Sequence, residues 1–429
     1  MSDIATSASI RRTPPASYRW LVLLVVALAM FANYYVFDAM NPVGPLLESQ
    51  LGFTQSQIGL LDSAYNIAAL LILLFGGVFI DRAGTKRAMV LFSIVTAVGG
   101  ALIAVGGRPE VMAAGRFVLG LGAEPLIVAV TAVLARWFRA KELSFAMAID
   151  LTIARLGSVA ADNSRTWAGS LFDSWQRPLV LAAFVGGLCV ASALLYVVLE
   201  RRAEATYELG RASGADRLVL ADLVRFPRGY WYVVGLCVTF YSAVFPFRRF
   251  ANIFFVQAHG ASETHAAFLN GVLPLTAMIA TPLFGLLADR IGRRSTLMAV
   301  GSLVLLPTFL LMAYTRLPLA VPVAMIGVAF SLIPAVMWPS VAYLVEESRL
   351  GTAYALMTLC QQIGWATMSW AIGFLNDRFG AGPANPAGFN PGMWLFASLG
   401  ILGLVFSFLL WRCERGPGAH GLETITTRG

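Results

Sequence analysis

Twelve apolar stretches, each long enough to cross a bilayer, dominate this chain and leave few folds open to it. They fall near 20–46, 56–80, 88–107, 109–137, 143–172 and 178–200, and after a polar stretch near 229–257, 264–288, 295–314, 318–345, 350–375 and 392–411. A hydrocarbon core of about 30 Å takes about 20 residues of helix. The pattern predicts an all-α integral membrane protein of twelve transmembrane helices. Only 13% of the 429 residues are charged, about half the share of a soluble domain, so the bilayer is the expected surrounding.

The net charge of +8 does not indicate a nucleic-acid partner, because the basic residues sit between apolar runs. With the N-terminus inside, 22 of the 31 Lys and Arg residues fall in cytoplasmic segments. Four fall in outer loops (Arg108, Arg177, Arg316, Arg378) and five within spans (Arg116, Arg155, Arg165, Arg248, Arg249). That bias predicts both termini in the cytoplasm. The apolar run Trp20–Phe37 is longer than the core of a signal peptide, so it reads as the first span behind a disordered tail, 1–17.

The four cysteines (Cys189, Cys237, Cys360, Cys413) lack paired spacing, and the three histidines lie outside the apolar runs or at the very edge of one. No nucleophile–base pair or metal-ligand cluster emerges, so neither enzyme activity, metal nor cofactor is expected.

Internal repetition organises the spans. "GGVFIDRAGTKR" (76–87) returns as "FGLLADRIGRRS" (284–295), placing Asp81 and Asp289 208 residues apart, and weaker copies occur at "GSLFD" (169–173) and "GFLND" (373–377). A three-helix unit repeated four times predicts two pseudo-symmetric six-helix bundles, each of inverted three-helix repeats, with a site between them. The expected bundles are 18–200 and 229–412. The linker 201–228 reads either as an interfacial helix, through Val219, Leu220, Leu223 and Val224, or as plain solvated chain, and 413–429 is a cytoplasmic tail.

Gly77, Asp81, Arg82, Gly84, Lys86 and Arg87, with their second copy Gly285, Asp289, Arg290, Gly292 and Arg293, resemble the signature of the major facilitator superfamily. "GRFVLGLGAE", with Arg116, Gly120 and Gly122, resembles its fourth-helix motif, and "ARWFRAKE" (135–142) the loop that follows. The resemblance implies that the two signature copies link helices on the cytoplasmic side and help set the inward–outward equilibrium, with Arg116 counted among the gating residues. Glycine would allow close helix approach.

Charges inside the spans point to the site. Glu124 lies 15 residues into the fourth span and Arg155 12 residues into the antiparallel fifth, about 22 and 18 Å from opposite ends. Both depths fall near the midplane, which predicts that the two residues pair. They would serve either as a structural ion pair or as the carboxylate and guanidinium that hold a zwitterion. The repeat places Ser331 and Gln362 at the matching positions of the second half, so the fold itself does not require the charges.

Asp38, loosened by Pro42 and Pro45, is expected either to line the cavity or to cap a broken helix. Arg249 or its neighbour Arg248 faces the cavity or snorkels. Asp162, Arg165 and Arg116 read as a structural network, with Asp162 and Arg165 paired locally. Tyr34, Tyr35, Tyr241, Trp338 and Trp365 are candidate pocket walls, and Gln362 a candidate polar contact.

"GRFVLGLGAEPL", "KELSFAMAIDLTIARLGS", "VFPF" and "WPSVAYLVEESRLGTAYALMTLCQQIG" resemble the lysosomal dipeptide uniporter branch of the superfamily and its bacterial relatives. That resemblance implies an alternating-access carrier of dipeptides or similar zwitterions, a uniporter, with Glu124 and Arg155 engaging the peptide ends; a monomer is expected. The alternative is proton-coupled carriage of a small organic acid or drug, with Glu124 or Asp38 as the proton site. Beyond "VFPF" the sequence departs from the branch: Asn252 stands where a lysine is expected, with Arg249 one turn earlier. Of the basic residues 29 are Arg and 2 are Lys, which fits a bacterial inner membrane; a eukaryotic member would be lysosomal.

Overall fold

The computed structural model describes residues 14–138, 142–207, 226–346, 349–416 and 419–424; the side chains of 74–78, Asp81 and Ser144 are likewise outside the description. The interfacial helix expected near 217–225 falls outside these residues, as do the signature side chains of Gly77 and Asp81.

The first half comprises α1 (Ala16–Asp38), α2 (Gly44–Leu51), α3 (Gln55–Val105), α4 (Pro109–Phe138), α5 (Leu143–Asp162), α6 (Ser164–Trp167) and α7 (Gln176–Thr206). The second comprises α8 (Arg228–His259), α9 (Glu263–Ile291), α10 (Arg294–Tyr314), α11 (Ala320–Leu344), α12 (Leu350–Arg378) and α13 (Asn390–Cys413). α3 holds two spans, broken where Gly84 leaves the helix at φ 80°. The matching glycine of the second signature, Gly292, also has positive φ (63°), followed by Arg293 at 48°. Both copies therefore make a left-handed turn that favours glycine.

Ten segments are long and apolar enough to cross a membrane by length and composition. The two other long helices are α5 and α12, second members of corresponding repeats. Twelve crossings bring both termini to one end, called here the near end; the other is the far end. Thr54 caps α3 in a reciprocal box with Gln57, and Gly52 and Gly260 close α2 and α8 in the left-handed conformation. These caps satisfy the open ends of helices at the far surface.

Within the first half α3 packs along α4, and α1 along α5 and α7; within the second, α10 lies against α11 and α13, and α9 against α11. Close approach comes from the fourth-helix glycines: a Cβ on Gly120 would strike the Tyr65 carbonyl, and one on Gly122 the backbone of Thr96. Gly285 faces open space, so close approach does not explain the glycine at that position.

The halves meet along α3 with α12 and along α5 with α9. Asp377 at the end of α12 accepts from the amides of Gln55 (2.9 Å) and Ser56 (2.7 Å) and from the Ser56 hydroxyl, capping α3 across the interface. Asn376 donates to Gln55 (2.8 Å), Ser63 to the Ala366 carbonyl (2.6 Å), and Arg165 pairs with Glu263. These contacts close the far end.

Candidate functional site

Pro125 follows Glu124 inside α4. The ring removes one backbone donor and loosens the helix where the carboxylate leaves it. Glu124 does not meet Arg155. Its Oε1 accepts a hydrogen bond from the Tyr65 hydroxyl (2.9 Å), and no ion pair forms at it among the described residues. Arg155 instead lies with its guanidinium 5.4 Å from the Tyr34 ring and 5.6 Å from the Phe330 ring. The expected Glu124–Arg155 pair is thus corrected. Equal depth on neighbouring helices does not fix direction, and the arginine stem carries its charge toward aromatic faces instead, with Phe330 belonging to the other half.

The second half supplies an aromatic wall. Tyr241 stacks on Phe245 (5.3 Å, 4°), and Phe245 packs on Trp365 (4.2 Å) and Phe330 (5.6 Å). Trp338 donates its indole N–H to the Tyr241 hydroxyl (3.0 Å) and stacks on Tyr354 (6.0 Å). Gln362 is buried, and its Oε1 has no hydrogen-bond partner. Tyr34 lies beneath the Arg155 guanidinium. Tyr35 turns about 100° away, as consecutive helical residues must, and packs on Phe31 and Trp167 in a separate cluster with Ala161 and Ala182.

Two buried ionic clusters lie between these residues and the far end. In the first, Asp62 of α3 receives Arg116 Nη2 (3.0 Å), Arg249 Nε (3.2 Å) and Nη2 (3.0 Å), the Trp365 indole N–H (2.8 Å) and the Ser369 hydroxyl (2.7 Å). In the second, Arg248 reaches Asp162 (2.7 Å) and Asp38 (3.5 Å), and Asn41 donates to both carboxylates (2.8 and 3.1 Å). Arg248 and Arg249 therefore each hold a different helix group of the opposite half. Asn252, standing at the lysine position, donates across the interface to the Asn41 carbonyl (2.7 Å).

This geometry places Asp38, Arg116 and Arg249 in the seal. The local Asp162–Arg165 pair is not formed: Asp162 takes Arg248, and Arg165 takes Glu263 of α9. Partners from the other half are closer to hand than a residue three positions on, where α5 has already ended.

At the near end Lys86 pairs with Glu204, and Arg136 with Glu200 and Glu204. Arg294 binds Asp289 (3.0 Å). Arg82, Arg87, Arg290 and Arg293 are exposed. Asp62, Tyr65, Phe330 and Asp150 (buried, with an unpartnered Oδ1) escaped the sequence reading. The signal that singles out Glu124, an acid deep in an apolar run, marks Asp62 in "GLLDSAYN" equally.

The family model of the Major Facilitator Superfamily matches residues 26–250 and again 249–424. The chain belongs to the major facilitator superfamily. It is a secondary transporter, not an enzyme. Among its relatives, the human lysosomal dipeptide transporter MFSD1 is 28% identical over 421 residues, covering 93% of this chain and 88% of that one. The zebrafish (Danio rerio) protein of the same name is 30% identical over 377 residues, covering 84% and 81%. A bacterial homologue of the human lysosomal transporter Spinster, solved inward-facing and unoccupied, shares the fold at a TM-score of 0.76 with 16% identity, over 93% of this chain and 98% of that one.

Proposed function

We propose that this superfamily member carries dipeptides or similar zwitterions by alternating access, as a uniporter. One observation carries the reading: two opposite charges near the midplane, Glu124 and Arg155, have no counter-charge among the described residues, neither each other nor any third group. An isolated charge at that depth costs several kcal/mol, and a bound zwitterion compensates both at once. Glu124 would take the ammonium and Arg155 the carboxylate, which a planar guanidinium binds through two parallel hydrogen bonds. Tyr34, Phe245, Phe330, Trp338 and Trp365 would enclose the side chains, and Gln362 would contact the polar backbone.

The MFSD1 relatives support dipeptides as the substrate class. The two signatures would set the balance between open states, and Asp38, Arg249 and Arg116 would act on the substrate through the seal. The remaining assignments are a monomer in a bacterial inner membrane, with both termini cytoplasmic. Counterflow of labelled dipeptides in proteoliposomes tests the reading: exchange with dipeptides but not with free organic acids is expected, and the reverse order would overturn it.

Asp150 favours a second reading. It is 8% exposed and has one oxygen without a hydrogen-bond partner, the environment of a proton carrier. Uptake accelerated by an imposed pH gradient, and made insensitive to it by Asp150→Asn, would favour proton coupling over uniport.

A further inference from the structure

The far-end interface contains a carboxylate that no cation accompanies among the described residues. Glu48 lies on α2, the short helix between the first two spans, and its Oε2 accepts a hydrogen bond from Gln257 of α8 at 2.6 Å across the two halves. Its surroundings are otherwise neutral or of like charge. α3 presents Gln55 to it, and α12 presents the carboxylate of Asp377. Asp377 is itself held by two backbone amides and the Ser56 hydroxyl. On α8, His259 packs edge-on against Phe254 (5.1 Å) and meets the Met312 backbone. The flanking Ser49, Gln50 and Arg378 are exposed.

We propose that Glu48 binds a proton whenever the far end closes, so that the Glu48–Gln257 contact is a pH-sensitive latch on the seal. The neutral acid keeps its hydrogen bond to the amide and loses its repulsion with Asp377. Burial raises the Glu48 carboxyl from the ordinary 4.5 to about 7 in the closed arrangement. When the halves part, the side chain returns to water and to its ordinary value. A group whose value is raised in one state stabilises that state below its value in the other. The stabilisation is then lost as pH rises through the raised value. Acid at the far end therefore favours closure, and the effect fades as pH climbs through about 7. Between pH 8.5 and 5.5 the ratio of closed to open molecules should rise roughly 30-fold.

Spin labels at Gln176→Cys and Thr264→Cys, on the far ends of α7 and α9, report this ratio in a chain whose four native cysteines are replaced. Measured without substrate, the distance distribution should shift toward the short population on acidification, with a midpoint near neutrality. Glu48→Gln, a permanent mimic of the protonated acid, should stay mostly closed at both pH values. Gln257→Ala should reduce the closed fraction at both. A full pH shift retained by Glu48→Gln, or no shift in the chain with Glu48 intact, overturns the latch. Because no substrate is present, either failure leaves the dipeptide reading untouched.

Discussion

The guanidinium of Arg155, on a helix of the first half, lies 5.6 Å from the ring of Phe330 in the second. The charge thus reaches over the cleft that rocking of the two halves must open and close. A carboxylate bound there would touch both halves, which ties occupancy to the relative position of the bundles. Such coupling needs a ligand that interacts differently with the two states.

Removing either chamber charge should abolish transport while leaving the protein folded. A hydrogen bond to a charged group is worth about 1.5–3 kcal/mol, so Glu124→Gln and Arg155→Gln should each weaken substrate binding at least about tenfold. Arg155→Lys should not restore it, because an ammonium lacks the planar fork. Since the two side chains do not pair, their effects on ligand-free thermal stability should add to within about 0.5 kcal/mol. A strongly non-additive cycle would restore the structural ion pair.

Asp62 should be the most sensitive position of the seal. Asp62→Asn leaves Arg116 and Arg249 buried against a neutral amide, and breaking a buried pair costs about 3–5 kcal/mol. The far end should open, read as a longer distance between spin labels at Gln176→Cys and Thr264→Cys in a chain whose four native cysteines are replaced. Trp365→Phe removes one of the five hydrogen bonds to Asp62 but keeps the ring against Phe245. It should cost about 1.5–3 kcal/mol, less than the loss of the charge itself.

Two glycines let α3 and α12 close on one another. A Cβ at Gly59 would run into the Ser369 carbonyl, and one at Gly373 into that of Gln55. Both clashes are with backbone of the opposite half, so side-chain repacking cannot relieve them. Gly59→Val and Gly373→Val should hold the far end open, with transport lost and folded protein retained. Normal turnover by either variant would contradict the closure described.

Much of this architecture is legible in the sequence, because the bilayer imposes length and apolarity on every span. The repeat at Asp81 and Asp289 carries the two-bundle organisation, and the glycines at 84 and 292 make the turns their spacing requires. Glu124 and Arg155 stand out as isolated charges. Their partners do not, because depth along a helix constrains height but not the rotation or rotamer that aims a side chain. Tyr65 and Phe330 come from helices far apart in sequence, and only packing brings them to these charges. The Asp162–Arg165 expectation failed for the same reason: local spacing cannot anticipate Arg248 arriving from the other bundle.

The central claim is that one chamber holds both charged ends of a zwitterion. Its most direct test is inhibition of labelled dipeptide uptake by three unlabelled competitors: the free dipeptide, its N-acetyl form and its C-terminal amide. The account predicts inhibition by the free dipeptide, and by each blocked form at least about tenfold more weakly. Equal inhibition by either blocked form would contradict it, because Glu124 or Arg155 would then have no substrate charge to meet.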